Sequence, residues 1–113
     1  MKSKEELTVK TIMLVCAAGM STSLLVTKMQ KAAEVRGIQA DIFAQSAQEM
    51  EFTLEQKNVD VLLLGPQVKY MQNQIESKLV GKNIPVAAIN MQYYGMMNGE
   101  KVLDQALQII ENK

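Results

Sequence analysis

The only cysteine of this 113-residue chain, Cys16, is the side chain best placed for covalent chemistry. It follows an apolar segment, 11–15, and precedes a run of small and hydroxyl residues that leads into a helix-like segment. Backbone N–H groups in such a loop, with the positive end of the helix dipole, form an anion site aimed at the sulfur. The same field favours the thiolate, which is the nucleophilic form of cysteine. We therefore predict that Cys16 carries a phosphoryl group.

The residues that follow Cys16 argue against a phosphatase. A cysteine-based tyrosine phosphatase needs an arginine at the position that Thr22 occupies, because a guanidinium grips phosphate with two parallel hydrogen bonds. No arginine or lysine occurs between Cys16 and Lys28. Amides and hydroxyls can hold a phosphate here, but no charge can clamp it, which predicts a site that receives a phosphoryl group and passes it on. One of the hydroxyl residues 21–23 is also expected to cap the following helix.

The composition excludes several other kinds of chemistry. The sequence has no histidine, so a phosphohistidine, a histidine metal ligand or a Cys–His dyad cannot arise within it. A formal net charge of zero gives no general attraction to nucleic acid or to an acidic membrane surface. No apolar run is long enough to span a bilayer, and residues 1–6 lack the apolar segment of a signal peptide. We therefore expect a cytoplasmic protein.

Hydrophobic periodicity predicts strands that alternate with helices in the order βαβαβαβα. Such an order needs crossover connections, and hence a four-stranded parallel sheet with helices on both faces. The expected strand order is 2-1-3-4, as in α/β folds of the flavodoxin-like and low-molecular-weight-phosphatase-like kind. Residues 1–9 are expected to form a flexible arm, and 90–95 a loop. The expected strands are 11–15, 38–43, 59–64 and 84–89, and the expected helices are 23–36, 46–57, 68–79 and a last one with apolar positions Val102, Leu103, Ala106, Leu107 and Ile110.

This fold would place a ligand beyond the carboxyl ends of the strands, at the point where the strand order switches. That point lies between the first and third strands, so the loops after Val15 and Leu64 should face each other. Flexible thioether side chains at the same edge would suit a surface that docks partner proteins. The methionines expected there are Met20, Met91, Met96 and Met97.

Three segments together resemble one bacterial family. The segment 16–25, CAAGMSTSLL, closely resembles the active-site segment of the lactose/cellobiose family of enzyme IIB, part of the phosphoenolpyruvate-dependent sugar phosphotransferase system. The segment 62–67, LLLGPQ, resembles the second signature of that family, and Tyr94-Gly95 resembles a third and weaker one. The similarity runs from about Thr11 to the last helix, so the resemblance implies a single enzyme IIB domain over residues 1–113.

The resemblance implies a phosphocysteine carrier, the IIB component of a protein-phosphohistidine–sugar phosphotransferase. Cys16 would take a phosphoryl group from a phosphohistidine of enzyme IIA. It would pass the group to a sugar bound by the membrane-embedded enzyme IIC, so the protein would dock at the inner face of the membrane. A β-linked disaccharide such as cellobiose, chitobiose or lactose fits the family. No metal, no organic cofactor and no nucleic acid would take part.

The resemblance also assigns site residues. Backbone amides would be the main donors of a phosphate loop, helped by the hydroxyls of its last three members: Ala17, Ala18, Gly19, Met20, Ser21, Thr22 and Ser23. The rim of the site and the docking surface would include Gly65, Pro66, Gln67 and Tyr94. One position departs from the pattern, because Asn90 stands where members of the family often have an acidic residue. That departure puts the role of the acid in doubt for this chain.

Other interpretations of Cys16 stay open. A lone cysteine at the end of a strand is often only a small buried hydrophobic residue. The chain could also be a non-catalytic module of the same fold, in which Cys16 is a redox-sensing thiol or the loop senses an anion. A low-molecular-weight phosphatase relative is a further alternative.

Overall fold

The computed structural model describes residues 9–17 and 20–112, without the side chains of Met20 and Ser21. The expected N-terminal arm lies outside these residues, except for Val9. The described part holds four strands, six helical segments and the turns between them. Strands β1 to β4 are Lys10–Cys16, Ala40–Ser46, Val61–Leu64 and Val86–Ala88; helices α1 to α5 are Met20–Val35, Met50–Gln56, Gln72–Lys78, Met91–Gly95 and Gly99–Glu111; a 3-10 helix spans Pro66–Met71.

The strands form one parallel sheet in the order β2-β1-β3-β4. β1 is therefore a central strand, with Cys16 opposite Ser46 of β2 and Val15 opposite Leu64 of β3. The predicted architecture and the predicted order 2-1-3-4 are both confirmed. Because the strands are parallel, the carboxyl ends of β1 and β3 meet at one edge of the sheet.

Successive residues of β1 face two separate apolar cores, as the alternation of side chains along a strand requires. The residues 12–15 are all fully buried, which a parallel strand covered on both faces demands. Helices α1 and α5 cover one face of the sheet, and α2, α3 and the 3-10 helix cover the other. The first core includes Ile12, Leu14, Leu25, Met29, Val102, Leu103 and Ala106, and the second includes Met13, Val15, Met50, Val68, Ile75 and Leu79.

Helix α1 begins at Met20, three residues earlier than predicted. The hydroxyl residues 21–23 lie inside its first turn, so the prediction that one of them occupies the capping position before the helix is wrong. Residues 20–23, which the resemblance assigned to the phosphate loop, are therefore helical, and their assigned role in phosphate binding stays a prediction. Gly37 ends the helix as predicted, with a φ of +69° that favours glycine.

Strand β2 lies two to three residues further along the chain than the predicted segment 38–43. The N–H of Ile38 donates to the carbonyl of Ala33 (2.9 Å), so this residue completes the turn that closes α1 and does not join the sheet. β2 then continues to Ser46, because the N–H of Ala47 donates to the carbonyl of Cys16 (3.1 Å).

The segment 90–95, predicted as a loop, contains the short helix α4. The side-chain oxygen of Asn90 accepts hydrogen bonds from the N–H groups of Gln92 (2.9 Å) and Tyr93 (3.2 Å), which is the N-cap arrangement.

Other predicted elements occur with shorter bounds. The predicted helix 46–57 is Met50–Gln56, the predicted helix 68–79 divides into the 3-10 helix and α3, and the strands 59–64 and 84–89 shorten to Val61–Leu64 and Val86–Ala88.

Helices α1 and α5 cross at Gly99, the first residue of α5. A Cβ on Gly99 would stand 2.6 Å from the carbonyl carbon of Lys28 and 2.7 Å from the backbone nitrogen of Met29. Only a residue without a side chain lets the two backbones approach this closely. The crossing fixes α1, and with it the helix N-terminus that follows Cys16.

Candidate functional site

Cys16 is the last residue of β1 and lies at the carboxyl edge of the sheet. Its side chain is 2% exposed, and the Sγ lies 3.8 Å from the carbonyl oxygen of Gln45, towards which the thiol donates. The sulfur is thus held between the ends of β1 and β2. The sequence predicted this position at the end of the first strand, and the structure agrees.

Gly65 covers the other side of Cys16. Its N–H donates to the carbonyl of Val15 (2.9 Å). A Cβ on Gly65 would stand 3.9 Å from the Cβ of Cys16 and 3.2 Å from the Oε1 of Gln67. The segments that follow β1 and β3 therefore meet beside Cys16, as the strand order predicted.

The N-terminus of a long helix follows Cys16 almost directly. Ala17 is exposed, and α1 begins at Met20 and runs for 16 residues. The first N–H groups of a helix have no partner within the helix, and its dipole attracts an anion. The first turn of α1 contains no acidic residue that would oppose this attraction. The local chemistry therefore suits a phosphoryl group on the neighbouring sulfur.

Thr22 and Tyr94 are brought together, although they are distant in the sequence. Thr22 is 1% exposed in the first turn of α1, and its Oγ1 lies 3.5 Å from the hydroxyl oxygen of the half-buried Tyr94 in α4. The resemblance assigned Thr22 to the phosphate loop and Tyr94 to the rim of the site, as separate residues. The contact between them was not predicted. The Asn90 cap that orients α4 was also missed, although an asparagine just before a helix is a recognisable signal.

The remaining assigned residues lie in the segments that follow β1 and β3. Pro66 is half-buried and Gln67 is exposed, and both lie in the first turn of the 3-10 helix that begins after Gly65. Ser23 is exposed on α1. Ala18 and Gly19 lie outside the described residues, and Met20 and Ser21 are described only as the start of α1.

Several apolar side chains near this edge are exposed. Two of the methionines predicted to lie on a docking surface are among them. Met91 is 65% and Met96 72% exposed. Met97 was predicted to lie on the same docking surface, but its side chain is half-buried and packs against the first core. Leu24, which the sequence did not assign, is 50% exposed in the second turn of α1.

Two features typical of other functional classes are absent from the part of the chain that the structure describes. Over residues 9–17 and 20–112, no helix has both the length and the apolar character of a membrane span. Within the same residues, no cluster of histidine, cysteine or acidic side chains could hold a metal ion.

The sequence matches known proteins over most of its length. The family model for the lactose/cellobiose-specific IIB subunit of the PTS system matches residues 11–105. The galactose-specific EIIB component of Lactococcus lactis subsp. cremoris (strain MG1363) is 50% identical over 100 residues, which cover 86% of this chain and 93% of that protein. The cellobiose-specific EIIB component of Lactococcus lactis subsp. lactis (strain IL1403) matches with the same identity and coverage.

A solved structure agrees with both the sequence match and the fold. The cellobiose-specific phosphotransferase IIB component of Borrelia burgdorferi, determined in solution, is 39% identical to this chain with a TM-score of 0.76. The match covers 95% of this chain and 96% of that one. The family model thus agrees with the strand order, with the position of Cys16 at the end of β1 and with the three sequence segments described above. The chain belongs to the lactose/cellobiose family of IIB subunits of the sugar phosphotransferase system.

Proposed function

We propose that Cys16 accepts a phosphoryl group from a phosphohistidine of enzyme IIA and passes it to a sugar bound by enzyme IIC. The observation that carries this proposal is the position of Cys16. It ends the central strand β1, its side chain lies beside Gly65, and α1 begins shortly after it, at Met20. This is the arrangement that stabilises a phosphate on a side chain with backbone N–H groups.

The first step is the transfer from histidine to sulfur. The Cys16 thiolate attacks phosphorus, the S–P bond forms, and the P–N bond to the partner's imidazole breaks. The imidazole leaves with the electron pair of that bond. Because phosphoryl transfer depends on in-line placement and charge stabilisation, the N–H groups near Met20 supply the main assistance by binding the phosphoryl oxygens.

The second step is the transfer from sulfur to sugar. A sugar hydroxyl held by enzyme IIC attacks phosphorus and gives up its proton to a base or to solvent. The O–P bond forms, the S–P bond breaks, and Cys16 leaves as the thiolate. No arginine or lysine lies between Cys16 and Lys28, so no nearby cation in that segment holds the group tightly. A loose grip suits a carrier, because a strongly bound phosphoryl group would be slow to leave.

Both steps require docking of a partner protein at the same edge of the sheet. Exposed apolar side chains are available there on α1 and just beyond β4, namely Leu24, Met91 and Met96. Such side chains can pack against two different partners in turn and exclude water from the S–P bond. We place the protein in the cytoplasm, at the inner face of the membrane when enzyme IIC is bound. The sugar proposed is a β-linked disaccharide, with cellobiose, chitobiose and lactose as the candidates to be compared.

The experiment that tests this function follows sugar phosphorylation. Membranes that contain enzyme IIC are mixed with phosphoenolpyruvate, enzyme I, the carrier protein HPr, enzyme IIA and this protein, and phosphorylated disaccharide is measured. Wild type should sustain turnover, and Cys16→Ser should abolish it while its thermal unfolding midpoint stays close to that of wild type. Turnover that survives in Cys16→Ser would overturn the carrier role.

Two controls separate this function from its alternatives. A phosphatase relative would hydrolyse p-nitrophenyl phosphate without partners, and we expect no such turnover. A redox-sensing thiol would be oxidised by mild peroxide, and mass spectrometry would locate a sulfenic acid on Cys16. Rapid oxidation together with no phosphoryl transfer would favour the redox interpretation.

A further inference from the structure

The short helix α4 is fixed firmly at its N-terminus. The side-chain oxygen of Asn90 accepts from two N–H groups of the first turn, and its carbonyl accepts from the N–H of Tyr94 (2.9 Å). A helix of five residues cannot persist on its own, because too few hydrogen bonds offset the cost of its first turn. The position of Tyr94 therefore depends on the Asn90 cap together with packing against the first core.

Asn90 is in turn tied to the sheet and to the last helix. Its N–H donates to the Oε1 of Gln105 on α5 (3.1 Å), and the Nε2 of the same glutamine donates to the carbonyl of Ala88 in β4 (3.0 Å). The N–H of Ile89 donates to the carbonyl of Leu64 in β3 (2.9 Å). This network connects the start of α4 to the strand end that precedes Gly65.

The other end of α4 reaches the helix that follows Cys16. The hydroxyl of Tyr94 lies 3.5 Å from the Oγ1 of Thr22, which is nearly fully buried in the first turn of α1. The aromatic ring of Tyr94 also packs against the first core. The first turn of α1 is thereby held from outside its own helix, at the end of the helix that an anion approaches.

We propose that Tyr94 is a positioning residue for phosphoryl transfer. Through the hydroxyl of Thr22 it fixes the first turn of α1 relative to Cys16, and Asn90 keeps Tyr94 in place. The inference rests on the proposed carrier function. It extends that function by naming the contact that holds the N-terminus of α1 in place relative to Cys16. Precise orientation of such donors contributes directly to the rate of a transfer step.

This proposal also gives Asn90 a role that does not need an acid. The contacts of its side chain are made by one acceptor oxygen, and both asparagine and aspartate supply such an oxygen at an N-cap. An asparagine at this position therefore supplies the cap as an aspartate would. The position acts on the site through α4 and Tyr94.

The test is single-turnover phosphorylation of Cys16 by phosphorylated enzyme IIA, measured by intact mass at a series of enzyme IIA concentrations. The variants are Tyr94→Phe, Thr22→Val and their combination, with Thr22→Ser as the conservative rescue. Tyr93→Phe is the matched control, because it removes a hydroxyl from the same helix and Tyr93 also packs against the first core. Thermal unfolding midpoints are measured for every variant.

We expect Tyr94→Phe and Thr22→Val each to lower the maximal rate about five- to tenfold, which corresponds to the loss of one hydrogen bond. The half-saturating concentration of enzyme IIA should stay unchanged, and the double variant should be no slower than the slower single variant. Thr22→Ser should recover most of the rate that Thr22→Val loses, and Tyr93→Phe should react like wild type. A Tyr94→Phe rate within twofold of wild type, or additive losses in the double variant, would overturn the inference. A wild-type protein that gains no phosphoryl group would instead overturn the carrier function, and the inference with it.

Discussion

Gly65 lies against Cys16 so closely that a single methyl group on it would touch the Cys16 side chain. A Cβ at this position would be 3.9 Å from the Cβ of Cys16, 3.5 Å from the carbonyl oxygen of Val15 and 3.2 Å from the Oε1 of Gln67. The backbone of Gly65 is extended, with a φ of −65° and a ψ of 160°, so any residue could adopt it. A side chain larger than that of alanine at this position would therefore enter the space beside the Cys16 side chain.

Substitution of Gly65 should consequently affect transfer more than folding. Gly65→Ala needs only a small shift of the exposed Gln67 side chain, so the free energy of unfolding should change by less than about 1 kcal/mol. Gly65→Val adds bulk towards Cys16 and should slow its phosphorylation at least roughly tenfold by misplacing the reacting groups. Thermal unfolding and single-turnover intact mass, measured on both variants, check this. A Gly65→Val protein that folds and reacts as fast as wild type would contradict it.

The crossing of α1 and α5 predicts a large effect at another glycine. A Cβ on Gly99 would lie 2.6 Å from backbone and side-chain carbons of Lys28, so Gly99→Ala must push the two helices apart. We expect a loss of about 1–3 kcal/mol in the free energy of unfolding, measured in urea. Gly95→Ala is the control, since a Cβ there meets no atom within 4 Å and alanine is the better helix former. Equal stability of the two variants would show that the helices do not cross as described.

The open edge of the sheet is partly protected by a side chain. β2 is an edge strand, and the Nε2 of Gln30 on α1 donates to the carbonyl of Ile42 (2.8 Å). Gln30→Ala should lower the free energy of unfolding by about 0.5–1.5 kcal/mol. It should also raise self-association at high concentration, because a free carbonyl on an edge strand can pair with another chain. Urea unfolding and light scattering measure the two effects.

A surface glutamine provides the comparison for Gln30. Gln74 is exposed on α3, and among the described residues its side chain makes no hydrogen bond. Gln74→Ala should leave both stability and self-association unchanged. If Gln30→Ala behaves in the same way, the hydrogen bond to Ile42 contributes nothing and the edge is protected by other means.

The cap of α4 predicts a contrast between two substitutions of Asn90. Asn90→Asp keeps the acceptor oxygen and should change the free energy of unfolding by only a few tenths of a kcal/mol. Asn90→Ala leaves the N–H groups of Gln92 and Tyr93 without this acceptor and should cost about 1 kcal/mol. Urea unfolding of both variants compares them directly. If Asn90→Asp proved as destabilising as Asn90→Ala, the oxygen acceptor would not be the reason for the stability of α4.

The sheet and the position of Cys16 were predictable because they follow from patterns along the chain. The apolar segments 11–15 and 59–64 indicated buried strands, and the rule for parallel sheets placed the residues after them at one edge. The contact of Gly65 with Cys16 followed from these two inferences. The apolar face of the last helix was readable for the same reason, since Val102 and Ala106 recur at the helical period.

The parts that were missed depend on contacts that no local pattern encodes. The apolar Ile38 continues the alternation of β2, but its N–H is taken by the end of α1. The helix α4 is too short to show a hydrophobic period, and it exists through the Asn90 cap and packing. The contact of Thr22 with Tyr94 joins residues 72 positions apart, and only the assembled sheet brings them together.

Phosphorylation of Cys16 is measured most directly as the intact mass of the protein after incubation with phosphoenolpyruvate, enzyme I, HPr and an enzyme IIA. We predict a gain of one phosphoryl group that is absent in Cys16→Ser and disappears when membranes with enzyme IIC and a disaccharide are added. A protein that gains no phosphoryl group with any of several enzyme IIA partners, or that gains one in Cys16→Ser as well, would contradict the assignment of Cys16 as the carrier.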